Sequence, residues 1–65
     1  MKVNGAIEPE PAATVAALLE RHGIGAWTKF VAVAVNGVVV RRDAWETTAL
    51  GPDDEIEIIR PLEGG

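Results

Sequence analysis

Apolar positions recur with helical spacing in one stretch of the chain and with period two in several others. Val15, Leu18, Leu19 and His22 occupy the i, i+3, i+4 and i+7 positions of one helical face. Thr14 precedes the run and can accept hydrogen bonds from the free amides of a first turn, so the helix is predicted to begin at Val15. Gly23 ends it, since glycine takes the left-handed cap conformation, and Ile24 can then fold back onto the last turn. In that last turn His22 reads as a favourable neighbour of the negative helix end.

The strand pattern is punctuated by two Asn-Gly pairs. Each supplies the two positive-φ positions of a type I′ turn, so Asn4-Gly5 predicts a short hairpin from Lys2-Val3 to residues 6–8. Pro9 and Pro11 remove backbone donors and mark residues 9–13 as the connection to the helix. Asn36-Gly37 predicts the second hairpin, joining residues 30–35 to residues 38–41. In its first arm Phe30, Ala32 and Ala34 alternate with Val31, Val33 and Val35, so both faces are apolar and this arm is expected to be the central strand. Residues 43–49 lack alternation and read as a helical turn that delivers Trp45 and Leu50 to the core. After a turn at Gly51, Pro52, Asp53 and Asp54, the residues Glu55, Glu57 and Ile59 alternate with Ile56, Ile58 and Arg60 in a last strand, which Pro61 ends.

The resulting order is two strands, a helix, two strands, a short helical turn and a strand. That is an α+β arrangement in which one helix packs across one face of a mixed sheet, and it matches the β-grasp, or ubiquitin-like, fold. Sixty-five residues leave room for one domain, residues 1–65, with residues 62–65 expected as a flexible C-terminal tail. There is no cysteine, and His22 is the only histidine, so the chain offers no disulfide, thiolate catalyst or histidine-pair metal site. Its six basic residues against ten acidic ones give a net charge of −4, which argues against nucleic acid and anionic lipid as partners. The densest apolar stretch, residues 30–40, is broken by Asn36-Gly37 and is too short for a membrane span, and Met1-Lys2 leads into no signal peptide. A cytoplasmic monomer is expected.

Nothing in the body pairs a nucleophile with a base or cradles a phosphate, so no enzyme, metal or cofactor is read from it. The carboxylates Asp53, Asp54, Glu55 and Glu57 are explained by a turn and an exposed strand face. The chemistry therefore concentrates at the end, Leu62-Glu63-Gly64-Gly65. A terminal carboxylate on two glycines can thread a narrow channel where any Cβ would collide with the walls. The four residues span about 13 Å when extended. The carboxylate of Gly65 is ionised at neutral pH and can attack the α-phosphorus of ATP.

The run Ala32-Val33-Ala34-Val35-Asn36-Gly37, the step Arg42-Asp43-Ala44-Trp45, Leu50 followed by Asp54-Glu55-Ile56-Glu57-Ile58-Ile59, and the terminal Gly64-Gly65 together resemble the ThiS family of sulfur carrier proteins of thiamine biosynthesis. Thr14-Val15 with Leu18-Leu19 also fits, so the resemblance covers nearly the whole chain. It implies that the Gly65 carboxylate is adenylated by a ThiF-type enzyme using ATP and becomes a thiocarboxylate, with sulfur from a donor such as a cysteine desulfurase. Thiazole synthase would then take the sulfur to build the thiazole ring, with Leu62, Glu63 and Gly64 entering the partner's active site. One departure is Asp53, where the family usually has glycine, which bears on the turn geometry.

Two other readings share the fold: a carrier like the small subunit of molybdopterin synthase, and a non-catalytic ubiquitin-like interaction module. For a carrier, docking is expected on apolar sheet surface from Phe30 to Val40, through exposed valines among Val31, Val33 and Val39, with Arg41, Arg42 and Arg60 steering.

Overall fold

The computed structural model describes residues 1–25 and 28–60. Strands β1 (Lys2–Val3), β2 (Ala6–Ile7), β3 (Ala32–Val35), β4 (Val38–Val40) and β5 (Glu55–Ile59) form one mixed sheet in the order β2-β1-β5-β3-β4. Among the described residues a single helix, α1 (Val15–Arg21), covers one face, and a 3₁₀ turn occupies Arg42–Ala44. Both Asn-Gly pairs make the predicted tight turns, with φ of 51° and 84° at Asn4-Gly5 and 51° and 82° at Asn36-Gly37.

The helix is bounded as its sequence requires. Thr14 Oγ1 accepts from the Ala17 amide at 3.2 Å. At the other end Gly23, at φ 78°, donates to Glu20 and Ile24 donates to Leu19 at 2.8 Å, the paired bonds of a Schellman cap. The remaining free amides of the first turn find partners far along the chain: Val15 donates to the Thr48 carbonyl at 3.1 Å and Ala16 to the Trp45 carbonyl at 2.9 Å. The segment after the 3₁₀ turn thus fastens the start of α1 while it inserts Trp45 into the core. His22 stands at the C-cap, as expected. It also has a specific neighbour, with Nε2 2.6 Å from Glu8 Oε2. Arg21 beside it donates to the carbonyls of Glu10 (2.8 Å) and Pro11 (2.5 Å), so the end of α1 is fastened to the connection that follows β2.

One core results. Val15, Leu18 and Leu19 from α1 and Ile24 beyond it pack with Val3, Val33 and Ile56 from the sheet, with Ala12 and with Trp45. Trp45 also satisfies its indole N–H, which donates to the Val40 carbonyl at 3.1 Å.

Two expectations change. The middle of the sheet is β5, not the arm containing Phe30: β5 pairs with β1 in parallel and with β3 antiparallel, while β3 lies between β5 and β4. The last strand pairs on both of its edges, with β1 of the first hairpin and β3 of the second, and so takes the position between them. Regular pairing of β3 also begins only at Ala32, because Phe30 has φ 60°, a conformation that breaks strand alternation. Asp53, by contrast, is not in the left-handed region, so the turn before β5 accommodates aspartate where the family usually has glycine.

Candidate functional site

Alternation along the strands assigns the two faces of the sheet. Val33 is 1% exposed, and its partners across the sheet are Val40 and Ile58, so this row belongs to the core. Val33 is therefore a core residue, and Val31 is half-buried against the core. Of the three valines expected to dock, only Val39 (70% exposed) lies on the uncovered face. That face carries Val39 beside Ala34, and Ala32 beside Ile59, which is 58% exposed. Glu57 continues the first row and Glu55 lies opposite Lys2, so the apolar strip turns acidic toward the beginning of β5.

The chain leaves the sheet at the other end. The predicted site residues Leu62, Glu63, Gly64 and Gly65 lie outside the described residues, and the last one described is Arg60, directly after β5. The residue row Val40–Val33–Ile58 fixes what surrounds this exit: one step further along each strand come Arg41, Ala32 and Ile59. Arg42 follows, its guanidinium 4.6 Å from the centre of the Trp45 ring and donating to the Thr28 carbonyl at 2.6 Å. That bond holds the segment leading into β3, and with it Lys29 and Phe30, against the end of β4. Phe30 is 80% exposed. Phe30 opens the stretch expected from the sequence to dock partners, whereas Lys29 was not singled out. The only sequence hint was an aromatic side chain beside a lysine in a chain with one Phe, two Trp and no Tyr.

Elsewhere the chemistry is structural. Asp54 accepts from the Gly51 amide at 2.7 Å and from Asn36 Nδ2 at 3.0 Å. The Gly51 bond first, then that from Asn36, holds its carboxyl below the usual aspartate range. Among the described residues no group of three or more His, Cys, Asp or Glu is placed to hold a metal ion, and no helix is long and apolar enough to cross a membrane. A groove between α1 and the 3₁₀ turn is lined by the apolar Ala16, Leu19, Ile24 and Trp45 and by the charged Glu20, Arg42, Asp43 and Glu46, and holds no nucleophile.

Among the described residues, a five-stranded mixed sheet crossed by one helix, with the last strand in its middle, defines a small β-grasp protein. Comparison with known proteins narrows the class. The ThiS family model matches residues 1–65, and the chain belongs to that family, whose members are small sulfur carriers and not catalysts. It is similar to the crystal structure of the thiamine biosynthesis protein ThiS from Geobacter metallireducens, with a TM-score of 0.73 and 28% identity over 98% of this chain and 96% of that one. It is also similar to the solution structure of a thiamine biosynthesis protein from the same organism, with a TM-score of 0.75 and 27% identity over 98% and 85% of the two chains. No curated protein gives a significant sequence match.

Proposed function

We propose that the protein carries sulfur for thiazole formation in thiamine biosynthesis as a thiocarboxylate on Gly65. The observation that carries this reading is the family match, which runs through the final Gly64-Gly65. A Gly65 carboxylate oxygen attacks the α-phosphorus of ATP in a ThiF-type enzyme, forming an acyl-adenylate and releasing pyrophosphate. A persulfide from a donor such as a cysteine desulfurase then attacks the carbonyl carbon and AMP leaves. A thiol cleaves the acyl disulfide, which leaves the thiocarboxylate on Gly65 and a disulfide on the donor side. In thiazole synthase the thiocarboxylate sulfur attacks an electrophilic carbon to form a thioester, and water cleaves its acyl carbon–sulfur bond, which leaves the sulfur on the acceptor and restores the carrier's carboxylate.

Each part of the chain has a limited duty in this cycle. The body supplies a docking surface and a rigid exit point at Arg60; Leu62, Glu63 and Gly64 supply reach; Gly65 supplies the reacting carbon. The absence of cysteine leaves the carrier without a side-chain thiol to divert the sulfur. The dependence on ATP and reduced sulfur suits the cytoplasm.

Intact-mass measurement tests the proposal. After incubation with ATP, cysteine, a cysteine desulfurase and a ThiF-type enzyme, the protein is expected to gain the mass difference between one sulfur and one oxygen, localised to the C-terminal peptide. An unchanged mass, with the same enzymes active on another carrier, refutes it.

A further inference from the structure

The sheet gathers opposite charges at its two ends. Asp53, Asp54 and Glu55 stand at the beginning of β5, where the Asn36-Gly37 turn also lies. At the far end, where the chain leaves β5, are Lys29, Arg41, Arg42 and Arg60, four of the six basic residues in a chain of net charge −4. Register and one hydrogen bond bring them there: Arg41 follows the Val40–Val33–Ile58 row, Arg60 follows Ile59, and Arg42 ties down the segment bearing Lys29 through the Thr28 carbonyl. Lys29, Arg41 and Arg60 are exposed, and Arg41 meets Asp43 at 3.7 Å between two largely solvated side chains, a weak pairing.

The same corner holds Phe30. An aromatic residue at φ 60° is strained, and here the strain serves no burial, because the ring is 80% exposed. It adds to the end of the apolar strip formed by Ala32, Ile59 and Val39 a large rigid side chain of the kind that anchors interfaces. Concentrated positive charge on an otherwise acidic protein orients an approaching partner by this end alone.

We propose that the corner formed by Lys29, Phe30, Arg41 and Arg60 docks on the adenylating enzyme, at an acidic rim with an apolar recess beside the entrance to its active site. This rests on the carrier reading and specifies the partner surface that reading requires. Phe30 fills the recess, the three cations face the rim, and the five residues from Pro61 to Gly65 enter the channel. The acidic beginning of β5 faces away and disfavours the reversed orientation.

The test is carrier-dependent ATP–pyrophosphate exchange by the adenylating enzyme, comparing the wild-type chain with a Lys29→Glu/Arg41→Glu/Arg60→Glu variant and with Phe30→Ser. At about 50 mM salt the charge-reversed chain is expected to raise the KM for carrier about tenfold, with the maximal rate at saturating carrier little changed. The difference should shrink at about 300 mM salt, where screening removes steering. Phe30→Ser should raise KM at both salt concentrations. Because charge reversal could disturb folding, a Lys29→Gln/Arg41→Gln/Arg60→Gln variant with a wild-type urea midpoint gives a second reading, and it should raise KM by a smaller factor. Wild-type KM and salt dependence in both charge variants would overturn the docking proposal while exchange by the wild-type chain left the carrier reading standing. Failure of the wild-type chain to support any exchange would overturn both.

Discussion

The side-chain amide of Asn4 pairs with the backbone of Ile58, 54 residues away, as another strand would. Its Oδ1 accepts from the Ile58 N–H at 2.7 Å and its Nδ2 donates to the Ile58 carbonyl at 3.2 Å. Asn36, first residue of the other tight turn, acts similarly on the opposite flank of β5, accepting from the Glu55 amide at 3.0 Å and donating to Asp54 Oδ1 at 3.0 Å. Each asparagine thus both makes its turn and lengthens the grip on the middle strand. Neither hairpin partner is long enough to hold β5 over its full length by backbone pairing alone.

Replacing Asn4 separates these two duties. Asn4→Gly keeps a residue suited to φ 51° but loses both bonds to Ile58, and is expected to cost about 1 kcal/mol. Asn4→Ala adds left-handed strain and should cost about 2 kcal/mol. Urea unfolding measures the costs, and faster hydrogen exchange at the Ile58 amide in both variants reports loss of the bridge. Equal stability of the alanine variant and wild type would contradict this account.

The core is graded by burial. Leu18 is fully buried between helix and sheet, so Leu18→Ala should cost about 2–5 kcal/mol. Ile58 is only partly buried, and Ile58→Ala should fall below that range, at about 1–2 kcal/mol. Val33→Glu should unfold the protein, since Val33 is 1% exposed, whereas Val39→Glu should leave the urea midpoint close to wild type. Similar midpoints for the two glutamate variants would reverse the assignment of the sheet faces.

Asp54 makes stability depend on acid pH. The hydrogen bonds from Gly51 and Asn36 lower its pKa in the folded state below the ordinary 3.8, so the unfolded chain takes up the proton first as pH falls. The stabilisation is complete above that ordinary value and is lost as pH falls through the lower folded-state value. Asp54→Asn should therefore flatten the decline of the urea midpoint below about pH 4. An identical acid limb in wild type and variant would remove Asp54 as its source.

Phe30→Gly should stabilise the fold by about 1 kcal/mol, because glycine accepts φ 60° without steric cost and the exposed ring contributes little burial. Thermal or urea denaturation reads the gain. A clear loss of stability would show that the ring packs on the body.

Deleting Gly65 should leave the urea midpoint unchanged and abolish pyrophosphate exchange, since the proposed chemistry needs that carboxylate and the described core lies entirely before Pro61. Normal exchange by the truncated chain would be incompatible with the carrier function.

Both tight turns, the helix and its two ends, the short helical turn that buries Trp45 and the alternation of the last strand were all legible in the sequence. Each depends on chemistry within a few residues: positive φ at Asn-Gly, a hydroxyl before α1, a glycine after it. Gly64-Gly65 was legible as candidate chemistry for the same reason, as a terminal group without side chains. Tertiary structure decided matters that no local rule addresses. Both faces of residues 30–35 are apolar, so only packing against α1 shows that Val33 lies inside and Ala32 outside. The middle position of β5 follows from its parallel pairing with β1, a contact between the two ends of the chain. The second duty of Asn4 follows from that same pairing, whereas that of Asn36 and the meeting of Lys29, Phe30, Arg41 and Arg60 at one corner follow from the pairing of β3 with β5 and β4 and from the bond between Arg42 and Thr28. Residues far apart in sequence become neighbours only when burial of the common core outweighs the entropy of closing the loops between them.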